Sequence, residues 1–129
     1  VLDTAFALQL KDASEIIIKG LGAVLDVLKR QAFEHKDTVM IGRTHGIHAE
    51  PRTLGLVFAL WYDEMKRNLD RMTRAKEVIS VGKISGAVGT FANVPPHVEE
   101  SACERLGLKA ATISTQVVQR DIHAEFFLT

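Results

Sequence analysis

The chain has 129 residues, 47% of them hydrophobic, which suits one domain with a core of its own. With 16 Lys and Arg against 16 Asp and Glu there is no net charge and no dense basic cluster, which disfavours a nucleic-acid partner. The longest aliphatic run, Ile16-Ile17-Ile18, is far too short for a membrane span, no basic-then-apolar leader is present, and the single Cys103 cannot form an internal disulfide, so a cytoplasmic setting is expected.

Phe6, Leu10, Ala13, Ile17, Leu21, Val24 and Leu28 recur at steps of three and four, which predicts one long helix from about Leu2 to about Phe33. Leu2, Leu8, Ile16, Ile18 and Leu25 fall off that stripe, and a helix apolar on more than one side calls for more than one neighbour. His35-Lys36-Asp37 breaks the period. Thr38 to Gly42 is then a short extended run leading into Arg43-Thr44-His45-Gly46-Ile47-His48-Ala49-Glu50-Pro51, where no turn or core position is signalled. Pro51 has the φ of a first helical turn and predicts the start of a second long helix, in which Leu54, Phe58, Trp61, Met65, Leu69 and Met72 keep the helical step to about Ile79.

Gly82, Gly86 and Gly89, set among Val81, Ile84 and Val88, predict a loop or small hairpin. Pro95-Pro96 starts a short third helix to about Leu106, stopped by Gly107. A fourth is expected from about Gln116, with Ser114 and Thr115 as caps. The sum is an all-α, long-helix bundle with a small glycine-rich loop or hairpin. A first residue other than methionine, and an uncapped apolar ending at Phe126-Phe127-Leu128-Thr129, predict a piece of a longer protein.

Gly42-Arg43-Thr44-His45, followed by Ala49 and Pro51, resembles the Thr-His segment of the fumarase/aspartase superfamily. Val81 to Asn93 resembles the glycine-rich connection of the same proteins, and Ile113-Ser114-Thr115-Gln116 with Gln119-Arg120-Asp121 resembles the segment after it. Val1 to Ala5 is similar to the start of the first long central helix, so the likeness covers the whole chain. Gly46 to Pro51 is similar to one branch, whose members eliminate fumarate from succinylated purine nucleotides in purine biosynthesis. The resemblance implies that residues 1–129 belong to the central helical domain of a larger lyase. It also implies an N-terminal domain and a Ser-Ser-x-Met-Pro-x-Lys loop outside this stretch, a homotetramer with shared active sites, a small purine-nucleotide substrate and no cofactor.

By this resemblance His45 is the general acid that protonates the leaving nitrogen, a task suited to a group that titrates near neutral pH. Thr44 is the neighbouring hydroxyl that binds a substrate carboxylate or helps orient that site, and Gln116 is a substrate contact. Plainer readings stand beside these: a His45 bonded to a carbonyl, a Thr44 that finishes a strand, a Gln116 exposed in a first helical turn. His48 and Glu50 make a weak zinc pattern with His45, but no further Cys/His group completes it, so no metal is expected and His48 reads as a supporting or packing residue.

Gly82-Lys83-Ile84-Ser85-Gly86 lacks the upstream glycine, and the Ser or Thr after the lysine, that a phosphate loop requires. Lys83 and Ser85 are open between ligand contact and structural support. Arg120, Asp121 and His123 are expected on a charged helix face or at a subunit contact. Arg52, Thr112 and Ile122 depart from the family's usual residues. Two other functions fit the sequence: a helical oligomerisation module, and another lyase of the same superfamily.

Overall fold

A computed structural model describes residues 1–129. The elements are α1 (Leu2–Glu34), β1 (Val39–Thr44), β2 (Ile47–Thr53), α2 (Leu54–Ile79), β3 (Val81–Gly82), α3 (Pro96–Arg105), β4 (Lys109–Ala110) and α4 (Arg120–Phe127). The chain is mostly helical, as expected, and no helix is long and apolar enough to cross a membrane. It divides into two compact units, the first made of Val1–Ile17 with Arg71–Thr129 and the second of Ile18–Asp70.

In the first unit the core is Ala7, Cys103 and Leu108, with Leu8 and Ala110 packed against it. The face of α1 buried here is not the aliphatic stripe but Thr4, Ala7 and Ser14, while Phe6 and Ile17 stay partly open. Small side chains let a neighbouring backbone come close. Thr4 Oγ1 donates to the Lys83 carbonyl and accepts from the Lys83 N–H, each at 2.9 Å, a reciprocal pair that a bulky aliphatic residue would prevent. The glycine-rich segment takes the loop form, closed by Phe91 N–H to the Ser85 carbonyl at 3.0 Å. At its start β3 pairs in parallel with β4, Val81 opposite Lys109 and Gly82 opposite Ala110.

Pro95 and Pro96 begin α3 as predicted, at its N-cap and first turn, and Gly107 follows its end at φ 64. The fourth helix corrects the sequence expectation. It starts at Arg120, with Gln119 as N-cap, and Gln116 lies in the non-helical connection before it. Ser114 does not cap a helix because its hydroxyl is bonded to Ser85, and the Val118 N–H is bonded to Asp3 at 2.7 Å, which holds the chain off the helical path. His123 is buried at 8% exposure rather than lying on a charged face, since α4 packs its ring against Phe6.

In the second unit α1 runs out through His35, whose N–H still reaches the Gln31 carbonyl at 3.0 Å. The predicted break at residues 35–37 is a turn. A hairpin of β1 and β2 follows, and its base is tied to the helices by Leu54 N–H to the Thr38 carbonyl and Gly55 N–H to the His35 carbonyl, both 2.9 Å. Those two bonds fix the start of α2. Pro51 therefore does not open a helix: it sits in β2 opposite Ile41, in a ribbon of only two strands where a missing N–H is tolerated on the open side. His35, Phe58 and Trp61 form an aromatic row, with centroids 5.9 and 5.8 Å apart.

Candidate active site

The Thr-His segment is the tip of the β1–β2 hairpin. Thr44 pairs with Ile47, leaving His45 and Gly46 as a two-residue loop with φ values of 51 and 76. Positive φ at both positions is the pattern of a type I′ turn, whose twist matches that of the flanking strands. Glycine adopts it freely. For His45 the left-handed conformation costs on the order of 1–3 kcal/mol, and such strain gathers at functional sites. The turn was not legible in the sequence because His-Gly lacks the Asn-Gly or Asp-Gly signature.

Below the tip the register shifts. Ile41 faces Pro51 but Arg43 faces His48, so β2 spends one residue more than β1 around Gly42. A bulge of this kind bends the ribbon and re-aims the side chains beyond it. Thr44 and His45 are both exposed there, adjacent, on a support held by strand pairing. An imidazole so presented can exchange a proton with a group brought to the tip. His48 has a partner of its own: its Nε2 lies 3.3 Å from Arg43 Nη2. Arginine has only donors, so Nε2 is the acceptor, and a guanidinium beside it opposes a bound cation. No three His, Cys, Asp or Glu side chains gather anywhere as a metal cluster.

Gln116 belongs to the first unit, and Thr44 and His45 to the second. It is exposed, midway between two anchored residues. Two positions before it, Ser114 Oγ lies 2.8 Å from Ser85 Oγ; two positions after it, Val118 donates its N–H to Asp3 Oδ2. Gly89, at φ 83, runs so close beneath this connection that a Cβ there would stand 1.9 Å from the Ser114 carbonyl oxygen. Only glycine fits. Lys83 and Ser85 are buried, Lys83 Nζ donating to the Gly86 carbonyl at 2.6 Å and Ser85 meeting Ser114, so both side chains are spent on holding the loop.

Asp3 is the residue the sequence did not mark. Burial pushes its carboxyl up, but the Val118 N–H and the Arg120 guanidinium at 3.2 Å outweigh that, and the net displacement is below its ordinary 3.8. An acid in the first turn of a helix reads as a partner of the helix dipole, and nothing in the sequence joins it to residues more than a hundred positions away.

The lyase family's model matches residues 1–129, and the chain belongs to that family. It is 60% identical to an adenylosuccinate lyase of Bacillus subtilis (strain 168) over its whole length, and 55% identical to that of Aquifex aeolicus (strain VF5). In both cases it spans 30% of the relative's length. Among solved structures it superposes on the 3-carboxy-cis,cis-muconate lactonizing enzyme of Pseudomonas putida with a TM-score of 0.88 at 34% identity, covering 96% of this chain and 29% of that one. A fumarate lyase from Mesorhizobium sp. BNC1 matches with a TM-score of 0.87 at 34% identity, over 95% and 30% of the two chains. The resemblance found in the sequence motifs is thus borne out at the level of the family.

Proposed function

We propose that the protein containing this chain is an adenylosuccinate lyase, which eliminates fumarate from adenylosuccinate and from succinyl aminoimidazole carboxamide ribotide. The observation that carries the reading is the strained, exposed tip of the hairpin, where Thr44 and His45 follow one another in the chain. The identity to the Bacillus subtilis enzyme supports the choice of substrate within the family.

In the elimination a base takes a proton from the succinyl carbon and the carbon–nitrogen bond breaks. The electron pair left on nitrogen then takes the proton of the His45 imidazolium. Thr44 donates to a substrate carboxylate, and Gln116 donates a hydrogen bond to an anionic group of the bound substrate. The base comes from outside residues 1–129, in the Ser-Ser-x-Met-Pro-x-Lys loop that the resemblance implies. No cofactor takes part.

Residues 1–129 form part of the central helical domain in this reading, and the protein is a cytoplasmic homotetramer whose sites are shared between subunits. Support for assembly comes from the apolar side chains that α1 and α2 leave uncovered, among them Ile16 at 74%, Phe33 at 69% and Leu60 at 60% exposure. A core-forming helix is not expected to leave such residues in water. The test is fumarate release from adenylosuccinate by a full-length lyase carrying these residues. Release from neither purine substrate would move the protein to another activity of the family, and a stable oligomer without lyase activity would favour an oligomerisation module.

A further inference from the structure

Residues Ser114 to Val118 lie as a short strap whose two ends are fixed by different parts of the first unit. At one end the Ser114 hydroxyl meets the buried Ser85 hydroxyl at 2.8 Å, over a loop that Gly89 lets approach to contact. At the other, Asp3 Oδ2 accepts the Val118 N–H at 2.7 Å while Oδ1 accepts from Arg120 Nη2 at 3.2 Å. One carboxylate therefore ties the last strap residue and the first residue of α4 to the first turn of α1. Val118 itself is buried at 3% exposure, so its N–H has no water to turn to if Asp3 is removed. Gln116 sits between the two ends, exposed, with its backbone position decided by both.

We propose that Asp3, assisted by Ser85, is a positioning residue for Gln116: it acts on substrate binding without touching substrate, by fixing the strap on which Gln116 is carried. The inference rests on the reading of Gln116 as a substrate contact. Ser85 is buried and the Asp3 side chain is 17% exposed, and each is bonded to the strap, through which it acts.

The experiment compares Asp3→Ala, Asp3→Asn, Ser85→Ala, Gln116→Ala and the double variant Asp3→Ala/Gln116→Ala in a full-length lyase carrying these residues, reading KM and kcat separately. Removing the acceptor of a buried N–H should raise KM for adenylosuccinate about tenfold in Asp3→Ala with kcat nearly unchanged. Asp3→Asn keeps an oxygen for the Val118 N–H and should recover most of the affinity. Ser85→Ala should raise KM a few-fold. The double variant should bind no worse than Gln116→Ala, because Asp3 has nothing left to position. A normal KM in both Asp3→Ala and Ser85→Ala, or losses in the double variant that simply multiply, would overturn the positioning role while leaving Gln116 in place. If Gln116→Ala itself binds substrate normally, the substrate-contact reading falls and this inference falls with it. Should Asp3→Ala not fold, Ser85→Ala combined with Gln116→Ala makes the same comparison from the other end of the strap.

Discussion

The ring of His123 lies 5.8 Å from that of Phe6 and 8° from parallel to it. Its Nδ1 reaches the Gln119 carbonyl only at 3.4 Å, and its Nε2 is buried without a partner. An unpartnered buried nitrogen costs about 1–3 kcal/mol, so a side chain of similar size with no nitrogen gives little away. His123→Leu should therefore leave the unfolding free energy of the isolated chain within about 1 kcal/mol of wild type in urea titrations. A loss above about 2 kcal/mol would mean that the ring nitrogens are bonded more firmly than this geometry allows.

The depressed carboxyl of Asp3 sets a direction for the pH response. Its ionised form is favoured in the folded chain, so the stability it contributes is complete above its ordinary 3.8 and is lost as pH falls through the lower folded value. Between pH 5 and pH 2 the wild type should lose more stability than Asp3→Asn, whose amide does not titrate. Parallel denaturation curves for the two proteins across that range would contradict the arrangement.

Cys103 is 1% exposed, and burial, followed by the Glu99 carboxylate near it, pushes its thiol above the ordinary value of 9.0. A thiol so placed holds little of the reactive thiolate at neutral pH. A chromogenic disulfide reagent should label the native chain at least a hundredfold more slowly than the urea-unfolded chain, at a rate that tracks opening of the first unit. Rapid labelling under native conditions would show that this core is not closed.

The isolated chain should self-associate, because Ile16, Ile17, Val24 and Phe33 on α1 and Leu56 and Leu60 on α2 remain exposed. Sedimentation over a wide concentration range should reveal oligomers, and Ile16→Glu with Leu60→Glu should shift them toward monomer. A strict monomer at all concentrations would count against the assembly.

Helix positions were legible because their period survives in one dimension: α1 and α2 end within a residue or so of the break at His35 and of Ile79. The chemical residues were legible only through resemblance, since neither composition nor period distinguishes His45 from a histidine that closes a strand. What the sequence hid was set by long-range bonds. Pro51 carries the φ of a helix start, yet the bond from Leu54 to Thr38 places that start three residues later. Gln116 follows two good capping residues, yet Ser85 and Asp3 take the groups that would have begun a helix there. The apolar stripe of α1 is legible in the sequence, but the face buried within the chain is that of Thr4, Ala7 and Ser14, where Thr4 meets the Lys83 backbone and Ala7 packs with Cys103 and Leu108.

The role of His45 is tested most directly by His45→Asn in a full-length lyase carrying these residues, assayed for single-turnover fumarate release from adenylosuccinate. Asparagine accepts the positive φ at this position and so keeps the hairpin, but it cannot deliver a proton. Turnover should fall about a hundred- to ten-thousandfold with fold and assembly retained, the usual contribution of a positioned acid. A folded variant that releases fumarate at near wild-type rate would contradict the assignment and make His48 the next candidate.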